Sequence, residues 1–280
     1  MTEGFRAANA WERAKEPNLR RYCDLLASGT AKLVGAGTRV KDVPQIADEA
    51  DKLLPGRAFA SVLKGRALLR LGDPEEALKA LAEARRRDDR ALDDPVALLV
   101  WARANARTGH RTEAVAAYRA ALPRTSGLSP QDRATASFEA GMAVMAQGPA
   151  VIDDAVAMLR LARREAQDAL QIASSVALAL ALDRAAQRDE ARAVVTDAVR
   201  GDPRTALADV HVATALADSG TAGEGDALVA SGLEVNDAPG SRDAWRRYAD
   251  ASKGVWSDHA RERLGAAPAK RPGPRPKAAP

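Results

Sequence analysis

The chain has 280 residues, 46% of them apolar but only 4% aromatic, so its apolar content rests on alanine, leucine and valine, which suits closely packed helices and suits strands poorly. Of the net charge of +4, all is accounted for by Lys270, Arg271, Arg275 and Lys277 in residues 265–280, which leaves a neutral body and excludes a generic nucleic-acid-binding surface there. A single cysteine, Cys23, excludes an intramolecular disulfide or a cysteine metal cluster, and no uncharged run approaches the ~20 residues needed to span a bilayer.

In chain order, residues 2–34 carry a helical pattern broken at Pro17, with Trp11, Tyr22, Leu25 and Leu26 as candidate core positions and Gly35-Ala36-Gly37 as its end. A second helix is expected from Val43 to Leu54, stopped by Pro55-Gly56. Together residues 1–57 read as an N-terminal helical cap or a diverged repeat. The next stretch, residues 58–90, joins two amphipathic runs through Gly72-Asp73-Pro74-Glu75-Glu76. Asp73 is placed to cap the second helix. Pro74 fits its first turn, and the two glutamates face the positive end of the helix dipole. Gly65 and Leu68 before the turn, and Ala77, Leu81 and Ala84 after it, give small and large apolar residues at helical spacing.

That unit returns. Gly109, Ala114, Tyr118 and Ala121 stand 37 residues after Gly72, Ala77, Leu81 and Ala84, in a segment opened by Asp94-Pro95. A third unit starts at Ser129-Pro130 and carries Gly141, Gly148, Ala155, Leu159 and Ala162, with extra residues in its turn. The fourth has Ala179, Leu182, Ala191, Val195 and Ala198, closed by Pro203. A fifth, from Ala206, keeps Ala213, Leu216 and Gly220 but has Gly225 and Gly232 where alanines belong, which predicts the loosest packing of the series. Ser241 can cap one last helix running past Trp245 and Tyr248 to Leu264, as the polar-faced terminal element of an array. Five prolines in residues 265–280 preclude regular structure there.

The pattern of a turn glycine with small and bulky apolar residues at fixed offsets resembles the tetratricopeptide repeat, a helix–turn–helix of about 34 residues. The likeness covers residues 58–236. It implies an all-α, right-handed solenoid with an array over residues 58–239, a capping helix over 240–264 and a disordered basic tail. It also implies a binding scaffold whose first helices line a concave groove. Placed in that groove, Val62, Arg66 and Arg70 of one unit match Leu99, Arg103 and Arg107 of the next, and Arg184 recurs at one of the same positions. Four guanidinium groups in a ladder would suit an acidic partner segment. The same arginines would also serve as an ordinary solvated face, and Val62, Leu99, Val100 and Leu180 as packing between helices. The lysine/arginine/asparagine clamp by which some family members hold a terminal carboxylate is not matched, and Asn105 falls where a packing aromatic is usual.

Catalytic and metal patterns are absent from the sequence. His110, His211 and His259 have no histidine or cysteine one turn away, which excludes a helical metal pair. His110 falls in a turn, and His211 on a groove-facing or partly buried position. The run Gly220-Thr-Ala-Gly-Glu-Gly225 lacks the lysine and hydroxyl residue of a phosphate loop. Asp93/Asp94 and Asp153/Asp154 border helix starts, where capping accounts for them. Cys23, beside Arg20 and Arg21, sits in an apolar-patterned helix and reads as a buried structural thiol. The expectation is therefore a non-enzymatic protein-binding scaffold or adaptor without cofactor. Alternatives are a structural subunit assembling through its outer faces, or a regulatory subunit of an enzyme. Nucleic acid is expected to meet only the tail, weakly, and self-association stays open. The expected compartment is cytoplasmic, or extracytoplasmic if a signal segment has been removed.

Overall fold

A computed structural model describes residues 17–34, 38–198, 202–234, 240–251 and 254–265. Trp11, the Gly35-Ala36-Gly37 stop and the tail beyond residue 265 fall outside it. The described residues form α-helices joined by turns and short 3₁₀ segments, with successive helices packed in pairs. None is long and apolar enough to cross a membrane. The chain divides into two compact units. The first comprises residues 1–136 with 217–220, the second residues 137–216 with 221–280.

In the first unit, α1 (Pro17–Val34) pairs with α2 (Val43–Leu53), α3 (Ala58–Leu71) with α4 (Pro74–Arg87), and α5 (Pro95–Arg107) with α6 (Arg111–Ala121). The first helices also adjoin one another, α1 against α3 and α3 against α5. Local chemistry sets the boundaries. Asp73 accepts a hydrogen bond from the Glu76 N–H at 3.3 Å, and Asp94 one from the Val96 N–H at 2.7 Å. Gly65 lets α3 approach α4: a Cβ there would lie 2.7 Å from the Leu81 Cγ. Ala102 and Tyr118, each 37 residues on from Gly65 and Leu81, are both buried.

The second unit contains the C-terminal part of α7 (Pro130–Met145), then α8 (Ile152–Glu165), α9 (Asp168–Arg184) and α10 (Arg188–Ala198). A short α11 (Pro203–Leu207), α12 (Val210–Asp218, up to Leu216), α13 (Gly225–Glu234), α14 (Ser241–Ala251) and α15 (Ser257–Arg263) follow. Gly141 repeats the role of Gly65, since a Cβ on it would lie 2.6 Å from the Leu159 Cγ. Ala173 to Leu182 of α9 are buried without a break, because α8, α10, α11 and α13 all pack on that helix. Its sequence has no polar stripe, as expected of a helix covered all round.

Four turns share one backbone solution. The residues at 72, 109, 186 and 220 all have positive φ, and the next N–H reaches back five residues, from Asp73 to Leu68, His110 to Asn105, Gln187 to Leu182 and Thr221 to Leu216, at 2.8–3.0 Å. This is a Schellman-type helix end. Three of the four positions are glycine. The other is Ala186, at φ 61°.

Three expectations need correction. Pro203 does not close a unit but opens α11, with Asp202 accepting the Arg204 N–H. Gly232 is no loosening residue: a Cβ on it would meet the Pro203 ring at 2.9 Å and Val176 at 3.2 Å, so it permits the closest approach to α9 and α11, whereas Ala213 at the packing position of α12 is exposed. The single helix expected from Ser241 to Leu264 is two helices, with Trp256 turned in before α15 to donate its indole N–H to the Met145 carbonyl at 2.8 Å.

Candidate functional site

The adjoining first helices of the first unit enclose a cavity of about 650 Å³. From α1 it receives Leu19, Tyr22, Cys23 and Leu26, which recur at three and four residues and so share one face. In the sequence this stripe reads only as a core face, with no local sign that a cavity lies on it. From α3 come Phe59, Val62 and Arg66, again one turn apart, while Ala97 of α5 and Asp88 and Asp94 close the far side. The lining is chiefly apolar but includes two aspartates and two arginines, Arg57 and Arg66.

The charges there are unequal. Asp88 accepts the Arg90 N–H at 2.9 Å and Asp94 caps α5, so each carboxylate already serves the backbone. Arg66 is half-buried and forms no hydrogen bond or ion pair among the described residues; burial pushes its guanidinium below the ordinary arginine value, against the opposing charge of Asp94. Tyr22 is 4% exposed, and its hydroxyl, itself shut off from solvent, makes no well-formed hydrogen bond among the described residues, although the Ala60 backbone lies close. Burial raises that phenol to about 12, despite the lowering influence of the Ala60 backbone and Arg57. Cys23 is half-buried at the wall of the cavity rather than sealed in the core.

The other expected arginines do not join this site. Arg70 is turned to the Leu33 carbonyl at the end of α1. Arg107 donates through Nε to Asp218 at 2.6 Å, Arg103 lies 3.9 Å from the same carboxylate, and the Tyr118 hydroxyl donates to the Asp218 carbonyl at 2.9 Å. Gly220 sits so close to the Ala106 carbonyl, 2.7 Å from a hypothetical Cβ, that no side chain fits. The four guanidinium groups of α3 and α5 therefore do not form one open ladder. Asp218 is 111 residues from Arg107, and no local pattern announces it.

Arg184 departs furthest from the expected groove position. In the second unit its side chain is fully enclosed, 2.7 Å from Glu224, within 3.0 Å of the Tyr248 hydroxyl, and with its guanidinium 4.7 Å from the centre of the Trp256 ring. Next to it Asp183 meets His259 at 2.9 Å, with Arg188 and Arg263 each at 3.6 Å. Leu99 and Leu180 are buried packing residues, and Val62 both packs in the core and borders the cavity. Asn105 is buried and donates to the Trp101 carbonyl at 2.8 Å. His110 is exposed in its turn, and His211 is exposed rather than partly buried.

In comparison with known proteins, the sequence matches no protein-family model and no curated relative. What the molecule presents is thus an all-α chain of sequential helix pairs with an apolar, arginine-edged cavity between the first helices of its first unit.

Proposed function

We propose that the protein is a non-enzymatic binding scaffold of the tetratricopeptide kind, its helix pairs arranged as a right-handed solenoid, and that a partner segment seats on the first-helix face of its first unit. One observation supports this above the rest: the first helices of three successive pairs adjoin and wall one apolar cavity, which Val62 and Arg66 border. A face built from small and apolar residues with one half-buried guanidinium suits a segment that offers apolar side chains beside a carboxylate.

The only cysteine supplies the test, because Cys23 borders the same cavity. A photo-activatable maleimide on Cys23 should cross-link a captured partner through a segment of that composition. Val62→Asp and Arg66→Glu, each checked for native helicity, should abolish capture of that partner and the cross-link together. A partner retained by both folded variants, and cross-linked at no point to Cys23, would remove the first-helix face as the binding site.

A further inference from the structure

The same cavity has the makings of a small-ligand pocket, and we infer that it takes a free aliphatic monocarboxylate of medium chain length. This inference rests on the reading of the first-helix face as the binding face, and on nothing about the partner segment. Its volume, about 650 Å³, lies inside the range of about 300–1,000 Å³ typical of pockets that enclose small molecules. The composition is also of that type, with chiefly apolar walls and a few polar groups.

Leu19, Leu26, Phe59 and Val62 offer nothing but apolar contact, which an aliphatic chain satisfies. Arg66 is half-buried and forms no hydrogen bond or direct ion pair among the described residues, whereas Asp88 and Asp94 each already hold a backbone N–H. A carboxylate against Arg66 would form the direct, planar, two-bond pair that Asp94, acting on it only at a distance, does not. A cationic head group would find one oxygen of each aspartate already on a backbone N–H and would leave Arg66 without a direct ion pair.

The probes are octanoate, decanoate and dodecanoate, with dodecan-1-ol and dodecyltrimethylammonium as neutral and cationic counterparts. All are used below their critical micelle concentrations with the full-length protein at pH 7.5. Binding is read by calorimetry and, independently, by protection of Cys23 from iodoacetamide. Affinity of the acids should rise about fourfold per methylene, the ratio expected for burying one CH₂. Dodecanoate should protect Cys23 and bind at least tenfold more tightly than dodecan-1-ol. In Arg66→Gln the acid should fall to within twofold of the alcohol, with the alcohol itself unchanged.

Equal affinity of acid and alcohol for the unaltered protein would overturn the inference without recourse to any variant. So would tighter binding of the ammonium, or failure of all three acids to bind and protect Cys23. The outcome is separable from that of the adaptor reading. Acid binding can stand while partner capture ignores Arg66, and capture can depend on Arg66 while no acid binds.

Discussion

Two helix pairs in the two units, α3–α4 and α9–α10, share a turn and differ in their surroundings. Asp73 reaches back to Leu68 and Gln187 to Leu182 in the same bond, and Arg70 and Arg184 stand at the same place relative to that turn, 114 residues apart. Yet Arg70 is exposed and touches a helix-end carbonyl, while the side chain of Arg184 is fully enclosed by Glu224, Tyr248 and Trp256. The position of an arginine in a helix pair thus determines which way it points from its own helix. What it meets there depends on segments remote in sequence.

The largest consequence follows for those arginines. Arg184→Ala would strand the Glu224 carboxylate, only 15% exposed, against the Tyr248 hydroxyl, and would remove the guanidinium from the Trp256 ring. Breaking a buried pair in this way costs about 3–5 kcal/mol. Arg107→Ala, whose partner Asp218 it shares with Arg103, should cost less, about 1–2 kcal/mol. Arg70→Ala should stay within about 1 kcal/mol because its site is open to water. Denaturant unfolding followed by far-UV circular dichroism gives the order directly. If Arg70 and Arg184 proved equal, their different enclosure would have no energetic meaning.

A middle-sized effect divides the glycines of α13. Gly232→Ala drives a methyl into the Pro203 ring, which cannot rotate away, and should destabilise by about 1–3 kcal/mol. At Gly225 nothing lies within 4 Å, so Gly225→Ala should be neutral or stabilise by up to about 1 kcal/mol through helix propensity. Opposite signs for two glycines in one ten-residue helix would show that close approach, not flexibility, retains Gly232. A thermal melt of each variant is enough to decide it.

These contrasts explain what was legible beforehand. Helix ends depend on groups only a few residues apart, so Asp73, Pro74, Asp94 and the Pro55-Gly56 stop could be placed from the sequence, and Gly65 with Leu81 follows from spacing within one pair. The wall of α1 was visible only as a core stripe, because nothing local says that its neighbour across the cavity is α3. The enclosure of Arg184 needed Glu224 and Tyr248, which lie 40 and 64 residues away. The break before α15 was missed for a similar reason: the run from Ser241 to Leu264 keeps a helical pattern, and what draws Trp256 out of it is the distant Met145 carbonyl.

The smallest effect is the most direct test of the shared turn itself. At positions 72, 109 and 220 glycine adopts positive φ without cost, but Ala186 holds φ 61° with a Cβ that crowds the adjoining backbone. If the four turns are one structural solution, Ala186→Gly should stabilise the second unit and Gly72→Ala should destabilise the first, each by about 1 kcal/mol, since the change at each site adds or removes the same left-handed penalty. The unfolded chain gains freedom with any added glycine, which offsets part of the benefit at Ala186, so the gain there should be the smaller of the two. Paired denaturation curves would measure both. A loss of stability in Ala186→Gly would mean that contacts of the alanine methyl, together with the freedom the unfolded chain gains, outweigh the backbone penalty at 186.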